Sequence, residues 1–417
     1  MTTDALPKPA LALLRDRVFR RYWSAHVVSL VGDQISLIAI PLLAVLTIGA
    51  GAAEMGYLTA AALLPNLLFS LLAGAWVDRR AYKRKVMIGA DLGRAALLAV
   101  VPVLAFAGVL HLWHLCVLAF AIGTLTVCYE VADGSLFASV VRRPDYIAAN
   151  SLTNGARAMS YVAGPSVGGV LVQVLTAPFA LVADVLSYLG SALLLTRISP
   201  PEHVGSASEG GGLRIGSGLT FIIRSAVLRQ LLLGVTVINL FNYIFDALLI
   251  LYVTTELGIS PGLIGALIGI ASIGGLTGAA IATPLTRRFG VGPVVLLGYV
   301  AFPLPLVLIP LADGPQPVVI GMLFAAEFLS SLGVVILDIG VGSLQTAATP
   351  VSRLSLVKGA QRTVNYGVRP IGALLGGLLG ELIGVHAALW IGAVGAVAGV
   401  FFVVFSPVPR MRELPDS

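Results

Sequence analysis

Asp33 stands near the middle of "SAHVVSLVGDQISLIAIPLLAVL", residues 24–46, a run otherwise apolar enough to sit in lipid. A carboxylate at the centre of a spanning helix costs roughly 2.5–3.5 kcal/mol on insertion scales, so an acid kept there is a functional candidate. His26, Ser29, Asp33 and Ser36 recur at steps of 3, 4 and 3, which lays one polar stripe along a helix. Asn239, Asn242 and Asp246 repeat the pattern at 3 and 4. Glu130 and Asp133 lie three apart, while Glu327 and Asp338 lie eleven apart, about three turns, on one face with Ser331. The chemistry these share is proton transfer. Desolvation penalises the charged form of a carboxylate, so an acid on a poorly solvated face can load and unload protons near neutral pH. Asp33, Asp246, Glu130, Asp133, Glu327 and Asp338 are the proton-coupling candidates, with Asp33 first, and His26 can titrate beside it. His26, Ser29, Gln34, Asn239, Asn242 and Tyr243 are candidates to line a substrate cavity. Asp91 and Arg94, three apart, are spaced to neutralise each other.

The elements that hold these residues must be membrane helices. Of 417 residues, 58% are hydrophobic and 11% charged, whereas a soluble domain carries about 25% charged residues. Mean hydropathy is +0.97. Apolar runs of about 20 residues, each long enough for a hydrocarbon core of roughly 30 Å, predict an all-α polytopic membrane protein. Twelve spans are expected, at about 22–48, 55–77, 86–108, 112–132, 154–175, 178–197, 229–254, 262–285, 291–311, 316–344, 363–384 and 387–406. The N-terminus, "MTTDALPKPALALLRDRVFRR", lacks the pattern of a signal peptide, so the first helix is expected to remain as its own insertion signal. With that end inside, 22 of the 26 Lys and Arg fall on the cytoplasmic side and none in an outer loop. Both termini are therefore expected in the cytoplasm, with the chain in a bacterial inner membrane. The net charge of +6 reflects this topology and predicts no nucleic-acid partner. Cys116 and Cys128, twelve apart on one helix, read as packing residues, and no spacing suggests a metal or another cofactor.

"RISPPEHVGSASEGGGLRIGSG", residues 197–218, is rich in Pro, Gly and Ser and lies near the midpoint. It predicts a cytoplasmic linker over 198–227 between six-helix bundles at 22–197 and 228–406, with tails at 1–21 and 407–417. The stretch just after it could form a short helix along the membrane surface. The halves look repeated. "ARAMSYVAGPSVGGVL" places Arg157 eight residues before Pro165, and "QRTVNYGVRPIGALLGG" places Arg362 eight residues before Pro370. Paired six-helix halves with a site near the bilayer midplane are a transporter design.

Three stretches then carry a resemblance: "GAWVDRRAYKRKVMIGADLGRA" (74–95), "GPSVGG" (164–169) and "FRRYWSAHVVSLVGDQISLIAIPLLA" (19–44). Over nearly its full length the chain resembles the major facilitator superfamily, closest to bacterial macrolide-type and siderophore exporters. The first stretch matches that family's loop signature at Gly74, Asp78, Arg79, Lys83 and Arg84, departing from it at Ala81 and Tyr82. The second, Gly164, Pro165, Gly168 and Gly169, looks like its exporter signature. The resemblance implies that the first and seventh spans line a central cavity, so that their polar stripes face water. It also implies that Asp78 docks near the N-terminus of the eleventh helix in one conformer, as a gate. Members often carry an Arg in the fourth span. This chain has none there, which leaves Arg157 to pair with Asp133 or Glu130. Asp91, Arg94, Arg157 and Arg362 join the gating candidates.

The expected function is proton-driven export of a moderately hydrophobic small molecule by a monomeric carrier of alternating access. Its partners would be the lipid bilayer, the substrate and protons. A nutrient uptake permease and a lipid flippase are alternatives on the same fold. No G-x4-G-K-[ST], nucleophile elbow or zinc helix occurs, so neither ATP hydrolysis nor enzymatic chemistry is expected.

Overall fold

The computed structural model describes residues 9–78, 82–198 and 215–413. Lipid offers the backbone no hydrogen bonds, so apolar runs of this length satisfy their own N–H and C=O groups as helices. In chain order these are α1 (Arg17–Leu43), α2 (Ala52–Asp78), α3 (Lys83–Phe106), α4 (Leu112–Val140), α5 (Tyr146–Leu175), α6 (Ala177–Thr196), α7 (Ala226–Thr255), α8 (Pro261–Phe289), α9 (Val291–Ala301), α10 (Gln316–Ala347), α11 (Leu354–Ile383) and α12 (Val385–Val397). Among the described residues eleven helices, α1 to α10 and the α12 segment, are long and apolar enough to cross a membrane. α11 makes the twelve-span count. At 30 residues it is long enough, but Lys358, Arg362, Arg369 and Glu381 dilute its hydropathy. Several helices outrun their apolar stretch. α5 begins at Tyr146, whereas hydropathy marked its start near 154.

The chain divides into two units. The first comprises residues 1–49, 61–209 and 260–265; the second comprises 50–60, 210–259 and 266–417. In the first, α1 packs on α5 and α6, and α3 on α4 and α6. Its core joins Tyr22, Met87, Tyr129 and Leu136. In the second, α7 packs on α11 and α12, and α9 on α10, around Leu231, Ile238, Val295, Tyr299 and Leu337. The outer faces keep large apolar side chains such as Phe106, Phe405 and Leu382 exposed, as lipid-facing surfaces do. Of the predicted linker, residues 199–214 lie outside the described residues, as do 1–8 and 414–417 of the tails. Its end folds as the short helix Ile215–Arg224, which sits on α11 through Ile222, Val357 and Ala360.

The repeat shows in the turns as well as the helices. α5 and α11 each carry an internal proline, Pro165 and Pro370. Each ends on one residue of positive φ before the next helix begins: Gly384 at φ 89° and ψ 152°, and Thr176 at φ 71° and ψ 159°. Glycine takes that conformation freely; a β-branched residue does not. Strain of this kind costs on the order of 1–3 kcal/mol. Thr176→Gly is therefore expected to raise the thermal unfolding midpoint of the purified protein, and an unchanged or lower midpoint would count against a strained turn.

Candidate functional site

The polar stripe of α1 does not face open water. His26, Ser29 and Ser36 are buried inside the first unit, and Asp33 keeps 30% of its side chain exposed. The compensation that makes this tolerable is Arg94 of α3, itself 0% exposed. Its Nη2 pairs with Asp91, one turn back on the same helix, as the spacing of three predicts. Its Nη1 lies 3.5 Å from Asp33 Oδ1, and Nη2 donates to Ser29 Oγ at 3.5 Å. Two rings clamp the guanidinium: its central carbon is 4.5 Å from the Tyr129 centroid and 4.3 Å from that of Tyr188. A desolvated cation over aromatic faces gains about 2 kcal/mol. The Tyr188 hydroxyl closes the ring of contacts by donating to Asp33 Oδ1 at 2.6 Å. Two carboxylates thus share one cation. Asp91, the Tyr129 hydroxyl and the Ser191 hydroxyl lie together beside this cation, with Ser191 acting on both of the others.

Two further acids extend this network. Asp133 of α4 accepts a hydrogen bond from Tyr22 at 2.7 Å and faces His26 Nδ1 at 3.6 Å. Of the two pairings expected for Arg157, with Asp133 or Glu130, no ion pair with Asp133 forms among the described residues; Arg157 is exposed on α5, and α1 supplies the partners of Asp133. Glu130, one turn before Asp133, is exposed. The other acid, Asp184 of α6, escaped the sequence reading although it sits in the apolar run "ALVADVLSYLGSALL". It is 0% exposed and accepts from Ser36, and its Oδ1 lies 2.8 Å from Ser187 Oγ. The signal was present: Asp184, Ser187, Tyr188 and Ser191 recur at 3, 1 and 3, another polar stripe at helical spacing.

In the second unit the candidates are more open. Asp246 on α7 and Asp338 on α10 are exposed, and Glu327, Asn239, Asn242 and Tyr243 are partly buried. Asn239 donates to the Val235 carbonyl of its own helix at 2.9 Å. The local cation is Arg369 of α11, which sits 4.4 Å from the Tyr366 centroid and 5.2 Å from that of Tyr243. Its charge acts on both Asp246 and Asp338, with no direct ion pair between them among the described residues. The sequence reading placed Arg369 in a span and gave it no role. A guanidinium clamped by two tyrosines thus occurs in each unit.

The loop signature is only partly described. Gly74 and Asp78 close α2; Arg79 and the side-chain surroundings of Asp78, on which the expected gate falls, lie outside the described residues. Lys83 and Arg84 turn out to hold helix ends. Lys83 donates to the Val77 carbonyl at the end of α2, and Arg84 to the Ile198 carbonyl just past α6. Cations suit the unpaired carbonyls and negative dipole there. Lys83→Met is expected to loosen that helix end and lower the unfolding midpoint, by no more than a hydrogen bond to a charged group contributes, about 1.5–3 kcal/mol. In α5, Gly164, Pro165, Gly168 and Gly169 are all buried, with Gly164 against Gln34, Gly168 against the Ile35 backbone and Gly169 against Gly265. Arg362 is exposed and lies 5.1 Å from the Tyr366 centroid. Among the described residues no group of three or more His, Cys, Asp or Glu is placed to hold a metal ion.

Residues 8–416 match the family described as transmembrane secretion effector. The multidrug efflux pump Tap of Mycobacterium tuberculosis is 29% identical, over 94% of this chain and 93% of the relative. The MFS-type transporter YfiS of Bacillus subtilis is 24% identical over the same shares. Among solved structures, the nucleoside transporter NupG superposes with a TM-score of 0.70 at 13% identity, covering 93% of this chain and 98% of that one. A bacterial homologue of the iron transporter ferroportin, in an inward-facing state, gives 0.69 at 18% with the same coverage. At those identities the likeness speaks for the fold.

Proposed function

Since the chain belongs to the transmembrane secretion effector family of major facilitator transporters, and is a multi-pass membrane transporter with no enzymatic chemistry, we propose that it exports a moderately hydrophobic small molecule against an inward flow of protons. The substrate site opens to one side of the membrane at a time, and Asp33 carries the coupling proton. The observation behind this is the shared Arg94: Asp33 is the more exposed of its two carboxylate partners, and the only one also held by Tyr188. A proton on Asp33 cancels one of two negative charges facing a single buried cation. That shifts the balance between two arrangements of the cluster by as much as the charge interacts with each of them. Asp246, Glu327, Asp338, Glu130 and Asp133 are secondary candidates. Placement in a bacterial inner membrane with both termini cytoplasmic follows from the one-sided Lys and Arg distribution.

The test is substrate-dependent proton movement in proteoliposomes, with ethidium as the transported probe, comparing the natural chain with Asp33→Asn. The amide cannot exchange a proton, so the variant is expected to lose probe-driven acidification changes while still binding the dye. Retained coupling would remove Asp33 from the role.

A further inference from the structure

Asp184 is a fully buried carboxylate without an ion-pair partner among the described residues. Its surroundings were built for it. Opposite lies Gly32 of α1, where an added Cβ would run into the Asp184 carboxylate and the Ser187 side chain. α1 and α6 meet there through two reciprocal contacts: Tyr188 of α6 donates to Asp33 of α1, and Ser36 of α1 donates to Asp184 of α6. Each helix holds the other's acid with a hydroxyl.

Ser187 meets the same acid from its own helix. Its Oγ lies 2.8 Å from the Asp184 backbone carbonyl and 2.8 Å from Asp184 Oδ1. A serine hydroxyl has one proton to donate. If the carbonyl one turn back takes it, the contact to Oδ1 needs a proton on the carboxyl, which then donates to Ser187 Oγ. If Oδ1 takes it, Asp184 is an anion out of water with two hydroxyl donors and no cation in contact, an arrangement that costs several kcal/mol. The first assignment satisfies all three groups.

We infer that Asp184 is a second proton-binding site of the first unit, protonated in this conformation and exchanging its proton with Asp33. The inference rests on the proton-coupled reading above. A proton leaving Asp184 arrives on Asp33, and the anion left on Asp184 restores the charge that Asp33 gave up, so the total across α1 and α6 is conserved. The charged and titratable groups that act on Asp184 are Asp33 from α1, Arg94 from α3, and Tyr188 on α6 itself; Asp91 of α3 acts on Asp33 and Arg94. On α5, also packed on α6, Arg157 and Tyr161 are exposed.

Infrared difference spectra of the full-length protein in lipid nanodiscs, titrated between about pH 5 and 9, read protonated carboxyl groups directly by their C=O stretch. The natural protein is expected to lose carboxyl components as the pH rises. Asp184→Asn is expected to delete one component that Asp33→Asn retains, and Asp33→Asn to move the midpoint of the Asp184 component. Ser187→Ala keeps the acid and removes its hydroxyl partner, so it shifts the frequency of that same component without deleting it. Superimposable spectra for the natural chain and Asp184→Asn would overturn the inference. Should Asp184→Asn fail to fold, an unshifted spectrum from Ser187→Ala overturns it instead. Failure of the broader reading looks different: Asp33→Asn would keep dye-coupled proton movement whatever the Asp184 band does.

Discussion

Arg94→Met is expected to destabilise the first unit by about 3–5 kcal/mol, enough to abolish a monodisperse protein in mild detergent. Methionine fills much of the volume, so lost packing is the smaller part. What remains is the larger part: Asp91, 0% exposed, and Asp33, 30% exposed, face each other with no cation between them. Tyr129 and Tyr188 lose the guanidinium that their rings enclose, and Ser29 loses a donor. Arg94→Lys restores the charge but not the planar fork, so it is expected to recover part of the loss and not all. The decisive comparison is Arg94→Met combined with Asp91→Asn. If an uncompensated charge is the cause, neutralising Asp91 recovers stability, and the double variant melts above the single one. An Arg94→Met protein as stable as the natural chain, or a double variant no better than the single, would mean the cluster does not carry this energy.

The same cluster shows what a sequence can and cannot reveal. Periodicity lies along one helix, and much of that kind was legible: the spans, the stripe from His26 to Ser36, and the Asp91–Arg94 pair at a spacing of three. Which helices become neighbours is a tertiary fact. The partner of Asp33 lies 61 positions away on α3, and that of Asp133 more than a hundred away on α1. The expectation that the stripe faces water followed from the resemblance, which places the first and seventh spans around a central cavity. A lone helix with an acid at its centre needs water to stabilise it, whereas a bundle with Arg94 on the facing helix does not. Arg157 was expected to pair with Asp133 or Glu130 because the fourth span lacks the Arg that members of the resembled family often carry there. Geometry instead gave Asp133 the hydroxyl of Tyr22. Asp184 was readable, because its stripe of Ser187, Tyr188 and Ser191 has the same spacing logic as that of Asp33. Its importance was not, since only the fold puts Gly32 and Ser36 against it.

The glycines of α5 set a second large effect, because they differ sharply in what surrounds them. At Gly169 an added Cβ would fall 2.9 Å from the Gly265 Cα and 3.0 Å from its nitrogen, which are backbone atoms that cannot swing aside. The approach is mutual, since a Cβ on Gly265 would fall 3.0 Å from the Gly169 Cα. At Gly155, in the same helix, and at Gly134 in α4, nothing lies within 4 Å. Helix propensity alone favours alanine over glycine by about 0.8–1 kcal/mol at all of these positions. Gly155→Ala and Gly134→Ala are therefore expected to be neutral or mildly stabilising. Gly169→Val has the opposite sign: overpacking against backbone costs typically 1–3 kcal/mol, and the start of α8 must separate from α5 to admit the side chain. Because residues 260–265 belong to the first unit through this contact, separation there is expected to appear as faster amide hydrogen exchange over the first turns of α8. Thermal midpoints and exchange rates measured on the three variants would decide the matter. Equal behaviour of Gly155→Ala and Gly169→Val would show that these glycines serve bending of α5 and not its close packing.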